Sequence, residues 1–487
     1  MTPQTIRQSC IRAHGPGWCL ITLLLLLHLS VMAMAQTVPA APDADTLIRQ
    51  HGFRPADVGF LVFDLADGRE IAGHRPDAAF IPASVAKVPT AVAALSLLGP
   101  DWRFTTQVLT TGPVRGGILV GDLILKGGGD PTLDSTGLAA LAQDLVRQGI
   151  RVVSGRFLYD SSDLPVLAEI EPDQPYGAGY NTGVSALTVN FNRAQVSWTR
   201  RNGVIAAQTW SVSDTGRLPI DGVTLHAAPR PGTLTPMTAD SGEGWQVGFP
   251  ATGDKGSFWM PVRRPDRVTA GLFHRIAGMN GLTLPPPQPG TAPAAARPLA
   301  RRDSPPLTGV AARVLRYSNN LSAELMVLAT ARRLESRPAG LSQAAATVAG
   351  WLKSRAPGTD WRGFDLANGS GLTVRSRVTA RQMATILRLG GEPLYALLPG
   401  EDEGKATPNA RAKSGTMAYS KGLAGVLTTT GGRRLGFALF IGDEAQRQAM
   451  DRSIDRAVPA MPPAARDWLE RARGLQTALL ASWVGHL

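Results

Sequence analysis
The chain has 487 residues, 44% of them hydrophobic and 18% charged, and a formal charge of +12. That length exceeds one ordinary core and points to two or three domains, and the balance of apolar and charged residues excludes a disordered chain. The basic excess leaves anionic partners and peripheral membrane contact open. No dense Lys/Arg cluster is interleaved with aromatics, however, which argues against nucleic acid.

The first 35 residues read as a secretory signal. Arg7 and Arg12 supply the positive region, Trp18 to Leu27 the apolar stretch, and Ala33-Met34-Ala35 a small-x-small cleavage site. An uncleaved anchor is the alternative. Both cysteines, Cys10 and Cys19, lie in this segment. The mature chain is therefore expected to have neither a disulfide framework nor a thiol nucleophile. No later stretch has 18 uninterrupted apolar residues, so no other membrane span is expected.

Val58 to Asp64 is strand-like, Ala66-Asp67-Gly68 a turn, and Arg69 to His74 the returning strand. Pro82 then ends the extended chain, and Ser84 stands where a helix starts. The Ala/Val/Leu run to Leu98 is helical in character, Gly99-Pro100 stops it, and Pro89 predicts a bend. Residues three apart share a helix face, so the Ser84 hydroxyl and the Lys87 amine can touch. A serine is a poor nucleophile until a base takes its proton. A lysine whose pKa is depressed can be that base. Ser-x-x-Lys alone is usually a capping serine and a solvated lysine.

From Phe104 to about Gly281, short Val/Leu/Ile runs alternate with Gly-, Pro- and Asp-rich turns. This predicts mostly β structure with one helix near Leu138–Gln148. Gly127 to Pro131 lacks the spacing of a phosphate loop and reads as a tight turn. Residues 285–306, rich in proline and alanine, read as an exposed connector. Helical patterns return at Leu307–Tyr317, Ala323–Leu334 and Ser342–Arg355. Gly422–Thr428 and Leu435–Ile441 flank Thr430-Gly431-Gly432 as a hairpin. A last helix runs from Pro463 to about Trp483. Trp468, Leu475, Leu479 and Trp483 share one face of it, which is better suited to docking on the core than to lying on a membrane. The two ends are α/β in texture and the middle mostly β, which suggests one domain built from both ends around a large insertion.

Two further motifs complete a constellation. In Ser318-Asn319-Asn320, hydroxyl and amide can point to one side of an extended turn, to relay a proton and to hold a carbonyl or the lysine. The structural alternative is a helix cap with Glu324 nearby. Lys413-Ser414-Gly415-Thr416-Met417 offers a cation, hydroxyls for a carboxylate, and a glycine that lets substrate approach the backbone. Its structural alternative is an edge strand blunted by lysine. SxxK, SxN and K[ST]G in that order are the signature of penicillin-binding proteins and serine β-lactamases. Ser84 and Ser318 lie 234 residues apart, far more than a β-lactamase needs, and Ser318 and Lys413 lie 95 apart.

With Gly127–Pro131, Tyr180–Asn190, Ser318–Glu324 and Asn368–Leu372 added, nearly all of the mature chain resembles the D-alanyl-D-alanine carboxypeptidase/endopeptidase family, the class C low-molecular-mass penicillin-binding proteins. The resemblance implies an α/β (α+β) multi-domain fold. A β-lactamase/transpeptidase-like domain, an antiparallel sheet packed by helices, would span 36–105 plus 297–487. Two nested β-rich domains would occupy 106–296.

It implies a serine D,D-peptidase acting on peptidoglycan stem peptides in the periplasm, with β-lactam antibiotics as covalent inhibitors and with no metal or cofactor. Ser84 would be the nucleophile and Lys87, neutral by burial and by proximity to Lys413, the base. Ser318 would relay the proton and Asn320 orient the substrate amide. Lys413, Ser414, Gly415, Thr416 and Met417 would bind substrate, and the N–H groups of Ser84 and Thr416 would form an oxyanion hole. Ser414 stands where the family usually has threonine. Val374 holds the position of a family arginine, with Arg375 and Arg377 just beyond. Asp160 matches an acidic residue of the family's side-chain pocket, alongside Arg375. A β-lactamase or esterase on the same core, and a non-catalytic wall-binding protein, are the rival readings.

Overall fold
The structure, a computed structural model, describes residues 43–239, 242–334, 337–400, 409–458 and 461–487. The segment expected to be a signal, with Cys10 and Cys19, lies outside the described residues.

The two ends of the chain close one antiparallel sheet. Its strands run in the order Glu70–His74, Val58–Asp64, Arg434–Gly442, Ser420–Thr428, Ala410–Met417. The hairpin expected at Thr430–Gly432 forms, with Thr428 opposite Arg434. The N-terminal strand adds beside it, with Phe60 opposite Leu439. Alternation along the strands sends Phe60 and Val62 to one face and Leu61 and Phe63 to the other.

The C-terminal helix, Pro463–His486, covers the first face together with the short Ala44–Gln50 helix. Trp483 packs 5.1 Å from Phe60 and 5.8 Å from Phe437, between ring centroids. Trp468, Leu475 and Leu479 are buried beside it, so the apolar stripe docks on the core as expected. Each such side chain contributes about 1.5–3 kcal/mol on burial. Among the described residues no helix is long and apolar enough to cross a membrane.

The second face is packed by helices Lys87–Leu98, Leu307–Tyr317, Asn320–Leu334, Leu341–Arg355 and Ala380–Tyr395. Lys87–Leu98 is central, and its small residues Ala91, Ala93 and Ala94 let neighbouring helices come close. Pro89 falls in its first turn, where a backbone N–H has no helical partner, so the proline is accommodated there.

The middle of the chain forms further sheets. One of five strands runs Pro287–Pro289, Phe157–Asp160, Leu123–Lys126, Thr105–Thr110, Arg297–Asp303. It is packed by two helices, not one. Ser135–Arg147 is capped by Asp134, and Pro265–Met279 starts on a proline. The second helix was hidden from the sequence reading by the Gly/Pro texture around it. A four-stranded and a three-stranded sheet share another core around the fully buried Trp245.

The 285–306 segment is largely exposed, as expected, but it is not a mere connector. Pro287–Pro289 and Arg297–Asp303 are the two edge strands of the five-stranded sheet. An edge strand has a side without a ladder partner, so it tolerates residues lacking an N–H.

Candidate active site
Ser84 sits in a 3-10 turn, Ala83–Ala86, that runs directly into the Lys87–Leu98 helix. In a 3-10 turn residues i and i+3 eclipse, which brings Ser84 and Lys87 together. Ala83 just before the serine has φ +46°, a left-handed conformation that costs an alanine about 1–2 kcal/mol. Close packing on two sides holds the turn. A Cβ on Gly371 would lie 1.9 Å from the Ala83 carbonyl oxygen, and one on Gly415 would lie 2.5 Å from the Pro82 carbonyl oxygen. Gly415 thus lets the Ala410–Met417 strand press against the serine turn, a reason different from the substrate approach expected of it.

Lys87 is fully buried and its ammonium has three acceptors: Ser84 Oγ at 3.0 Å, Asn320 Oδ1 at 2.8 Å and the Ser370 carbonyl at 2.8 Å. Burial pushes its pKa down to about 7, while the negative charge of Glu324 works against that shift. Of the two causes expected from the sequence, burial and the nearby Lys413, burial is the one that lowers it. A neutral amine keeps two N–H bonds, to Asn320 and Ser370, and so turns its lone pair toward the Ser84 hydroxyl.

Glu324 is the residue whose part the sequence reading missed. It is fully buried and accepts from the backbone N–H of Gly369 at 2.9 Å and of Ser370 at 2.8 Å. Burial raises its own pKa. It therefore fixes the loop whose carbonyl holds Lys87. The available signal was its place four residues after Asn320, on one face of the same helix.

Ser318 joins two helices in a left-handed conformation, φ 58° and ψ 31°. Asn320 opens the next helix, and its amide Nδ2 donates to the Tyr180 carbonyl at 3.1 Å. Ser84, Ser318, Asn320, Tyr180, Thr416 and Met417 line one cavity of about 320 Å³. The structure thus brings parts of all three motifs to one place.

The last motif lies on the edge strand of the central sheet. Lys413 is buried, and its Nζ donates to the Ser414 carbonyl at 2.6 Å. Thr416 Oγ1 accepts from Nζ of Lys421, directly opposite on the neighbouring strand, at 2.7 Å. Lys421 is a further cation at the site that the sequence reading did not name. Lys413, Ser414 and Gly415 do not line the cavity.

Two expected pocket residues lie elsewhere. Asp160 is buried at the end of a strand in the inserted five-stranded sheet. There its carboxylate accepts from the backbone N–H of Ala292 and Ser162 and lies 3.6 Å from Lys126. It does not line the Ser84 cavity. Arg375 pairs with the buried Glu171 at 3.2 Å and also stays outside that lining.

Comparison with known proteins agrees with this geometry. The model of the D-Ala-D-Ala carboxypeptidase 3 (S13) family matches residues 41–392. The D-alanyl-D-alanine carboxypeptidase of Actinomadura sp. (strain R39) is 28% identical over 375 residues, covering 73% of this chain and 68% of that protein. The crystal structure of penicillin binding protein 4 (dacB) from Haemophilus influenzae is similar with a TM-score of 0.71 at 21% identity, covering 90% of this chain and 99% of that one. The same protein complexed with a β-lactam gives 0.69 at 21% identity, covering 89% and 99%. These two structures show the fold, a mixed α/β architecture with a transpeptidase-like part and inserted β-rich parts. The family match spans well over half of the sequence, and by it the chain belongs to the D-Ala-D-Ala carboxypeptidase 3 (S13) family.

Proposed function
We propose that this protein is a serine D,D-peptidase of peptidoglycan that works through an acyl-enzyme on Ser84. The observation that carries the reading is the 3.0 Å contact between Ser84 Oγ and the buried Lys87 Nζ, whose pKa of about 7 makes the free amine available near neutrality. Lys87 accepts the hydroxyl proton as Ser84 Oγ attacks the carbonyl of the penultimate D-alanine. The backbone N–H groups of Ser84 and Thr416 receive the developing oxyanion. The proton passes through Ser318 to the leaving amine, the C–N bond breaks, and an ester on Ser84 remains. Water then adds to the ester, giving up a proton to Lys87, and Ser84 leaves with its hydroxyl restored. Asn320 positions both Lys87 and the substrate amide. Thr416, with Lys421 behind it, provides the edge for a terminal carboxylate, and Lys413 adds positive charge from within the strand.

A terminal D-alanine as leaving group makes the activity a carboxypeptidase. The side-chain amine of a second stem peptide makes it an endopeptidase. β-Lactams present the same acyl group and would acylate Ser84. We read residues 1–35 as the export signal and the periplasm as the site of action. The expected boundaries, 36–105 plus 297–487 around an insertion of 106–296, need one adjustment: Arg297–Asp303 is a strand of the inserted sheet, so the insertion extends to about Asp303. The strands Thr105–Thr110 and Arg297–Asp303, paired with each other, lie where the chain enters and leaves it. A pentapeptide ending in D-Ala-D-Ala tests the reading. The expected result is release of one D-alanine by the wild type and none by Ser84→Ala; equal release by both would overturn it.

A further inference from the structure
A second cavity, of about 390 Å³, shares Tyr180, Ser318 and Asn320 with the Ser84 cavity and continues past them into the inserted region. Its far wall is aromatic and carries one cation. Trp259, Phe191 and Tyr317 are 40%, 36% and 65% exposed, unusual values for such large rings. Arg193 and Trp259 lie on adjacent strands, and the guanidinium carbon stands 4.9 Å from the centroid of the indole. This stacking orients the guanidinium. Its Nε is nonetheless buried without a hydrogen-bond partner, and among the described residues no carboxylate pairs with it. A half-buried arginine in that state lacks an anion.

The backbone next to it is strained. Asn190, Phe191 and Asn192 have φ of 49°, 56° and 53°, left-handed values that a phenylalanine rarely adopts. Buried hydrogen bonds hold the two asparagines, Asn190 to Ser135 and Asn192 to the Gly183 carbonyl. Phe191 is thereby left at the surface of the cavity. Strain of this kind persists where the surroundings impose it and is concentrated at binding sites.

We propose that this cavity is a subsite for the leaving stem peptide of a cross-linked substrate, with Arg193 binding a carboxylate of that peptide and Trp259, Phe191 and Tyr317 covering its apolar parts. The inference rests on the serine peptidase reading, in which Ser318 stands at the leaving amine. Whatever follows that amine in a longer substrate continues beyond Ser318, where the second cavity begins. A single leaving D-alanine would leave that cavity almost empty. The subsite therefore favours endopeptidase over carboxypeptidase action.

The test uses the full mature protein and three substrates. These are a monomeric pentapeptide, a D-alanyl–diaminopimelate cross-linked dimer with free carboxylates on the leaving stem, and the same dimer with those carboxylates amidated. The wild type should cleave the free-acid dimer with a kcat/KM about tenfold above the amidated one, the scale of one charge-assisted contact. Arg193→Gln should bring that ratio to about one, and Arg193→Lys should restore part of it. Equal cleavage of the two dimers by the wild type, or undiminished discrimination in Arg193→Gln, would overturn the subsite. So would cleavage of the pentapeptide without cleavage of either dimer. Failure of all three substrates, with no penicillin adduct on Ser84, would instead overturn the peptidase reading itself.

Discussion

Trp483 and Lys87 are both almost wholly buried, and their helices cover opposite sides of one five-stranded sheet. The side under Trp483 is a conventional apolar core in which tryptophan, phenylalanine and leucine side chains meet the outward residues of the strands. On the other side, Lys87, Thr90 and Glu324 are buried among the aliphatic residues, each held by specific partners. Thr90 Oγ1 donates to the Gly369 carbonyl at 2.7 Å, in the same loop that Glu324 grips from its backbone N–H groups. Burying charge is costly: replacing a whole buried ion pair with hydrocarbon is often neutral or stabilising, whereas removing one partner alone destabilises. The two sides therefore divide the tasks: one stabilises the sheet, while the other gives up stability to hold an amine near pKa 7 against a serine.

The largest effect that would break this division is at Lys87. Lys87→Met should lower acylation of Ser84 by about a thousandfold, within the range for loss of a general base. The methionine also leaves Glu324 without its countercharge, so the melting temperature should fall as well. Acylation of the folded protein at the wild-type rate would contradict the account.

A loss of stability alone is expected of Trp483→Ala. Unfolding in urea should show a loss of about 3–5 kcal/mol, typical of a tryptophan removed from a core. Acylation per folded molecule should stay as in the wild type, because the helix touches the far face of the sheet.

Gly415→Ala links the two effects. Its methyl would meet the Pro82 carbonyl oxygen at 2.5 Å and Val85 Cγ2 at 3.1 Å. Overpacking of this kind costs about 1–3 kcal/mol. It should also displace Ser84 from the strand that carries Thr416, so stability and acylation fall together.

The smallest expected effect is a shift along the pH axis. Lys87 is active as the free amine, so acylation should rise with pH through a midpoint near 7. Glu324 stabilises the protonated lysine and raises that pKa. Glu324→Gln should therefore move the midpoint to lower pH, read from the pH profile of the acylation rate. A midpoint moved upward would contradict the assigned electrostatics.

Much of the apolar side was legible in the sequence. The spacing of Trp468, Leu475, Leu479 and Trp483 on one helical face, and the alternating strands around Thr430–Gly432, encode their own packing. The Ser84–Lys87 pair was legible too, because a spacing of three places both groups on one face of a helical turn. What the sequence could not express was contact between distant segments. Glu324 acts on Lys87 through the backbone of residues 369 and 370; its place on the Asn320 face of one helix hints at the site, but its partners lie far along the chain. The partners of Asp160 were hidden for the same reason, since Lys126 and the Ala292 amide come from separate segments of the chain. The 285–306 segment misled because proline content reports the absence of N–H donors, and both an exposed linker and a sheet edge tolerate that absence.

The central claim is that Ser84 is a nucleophile activated by Lys87. Mass spectrometry of the mature protein after exposure to benzylpenicillin, with wild type beside Ser84→Ala and Lys87→Met, tests it most directly. The account predicts a covalent adduct on the Ser84 peptide of the wild type, none in Ser84→Ala, and accumulation slowed about a thousandfold in Lys87→Met. An adduct that survives Ser84→Ala, or one that forms at the wild-type rate without the Lys87 amine, would contradict it.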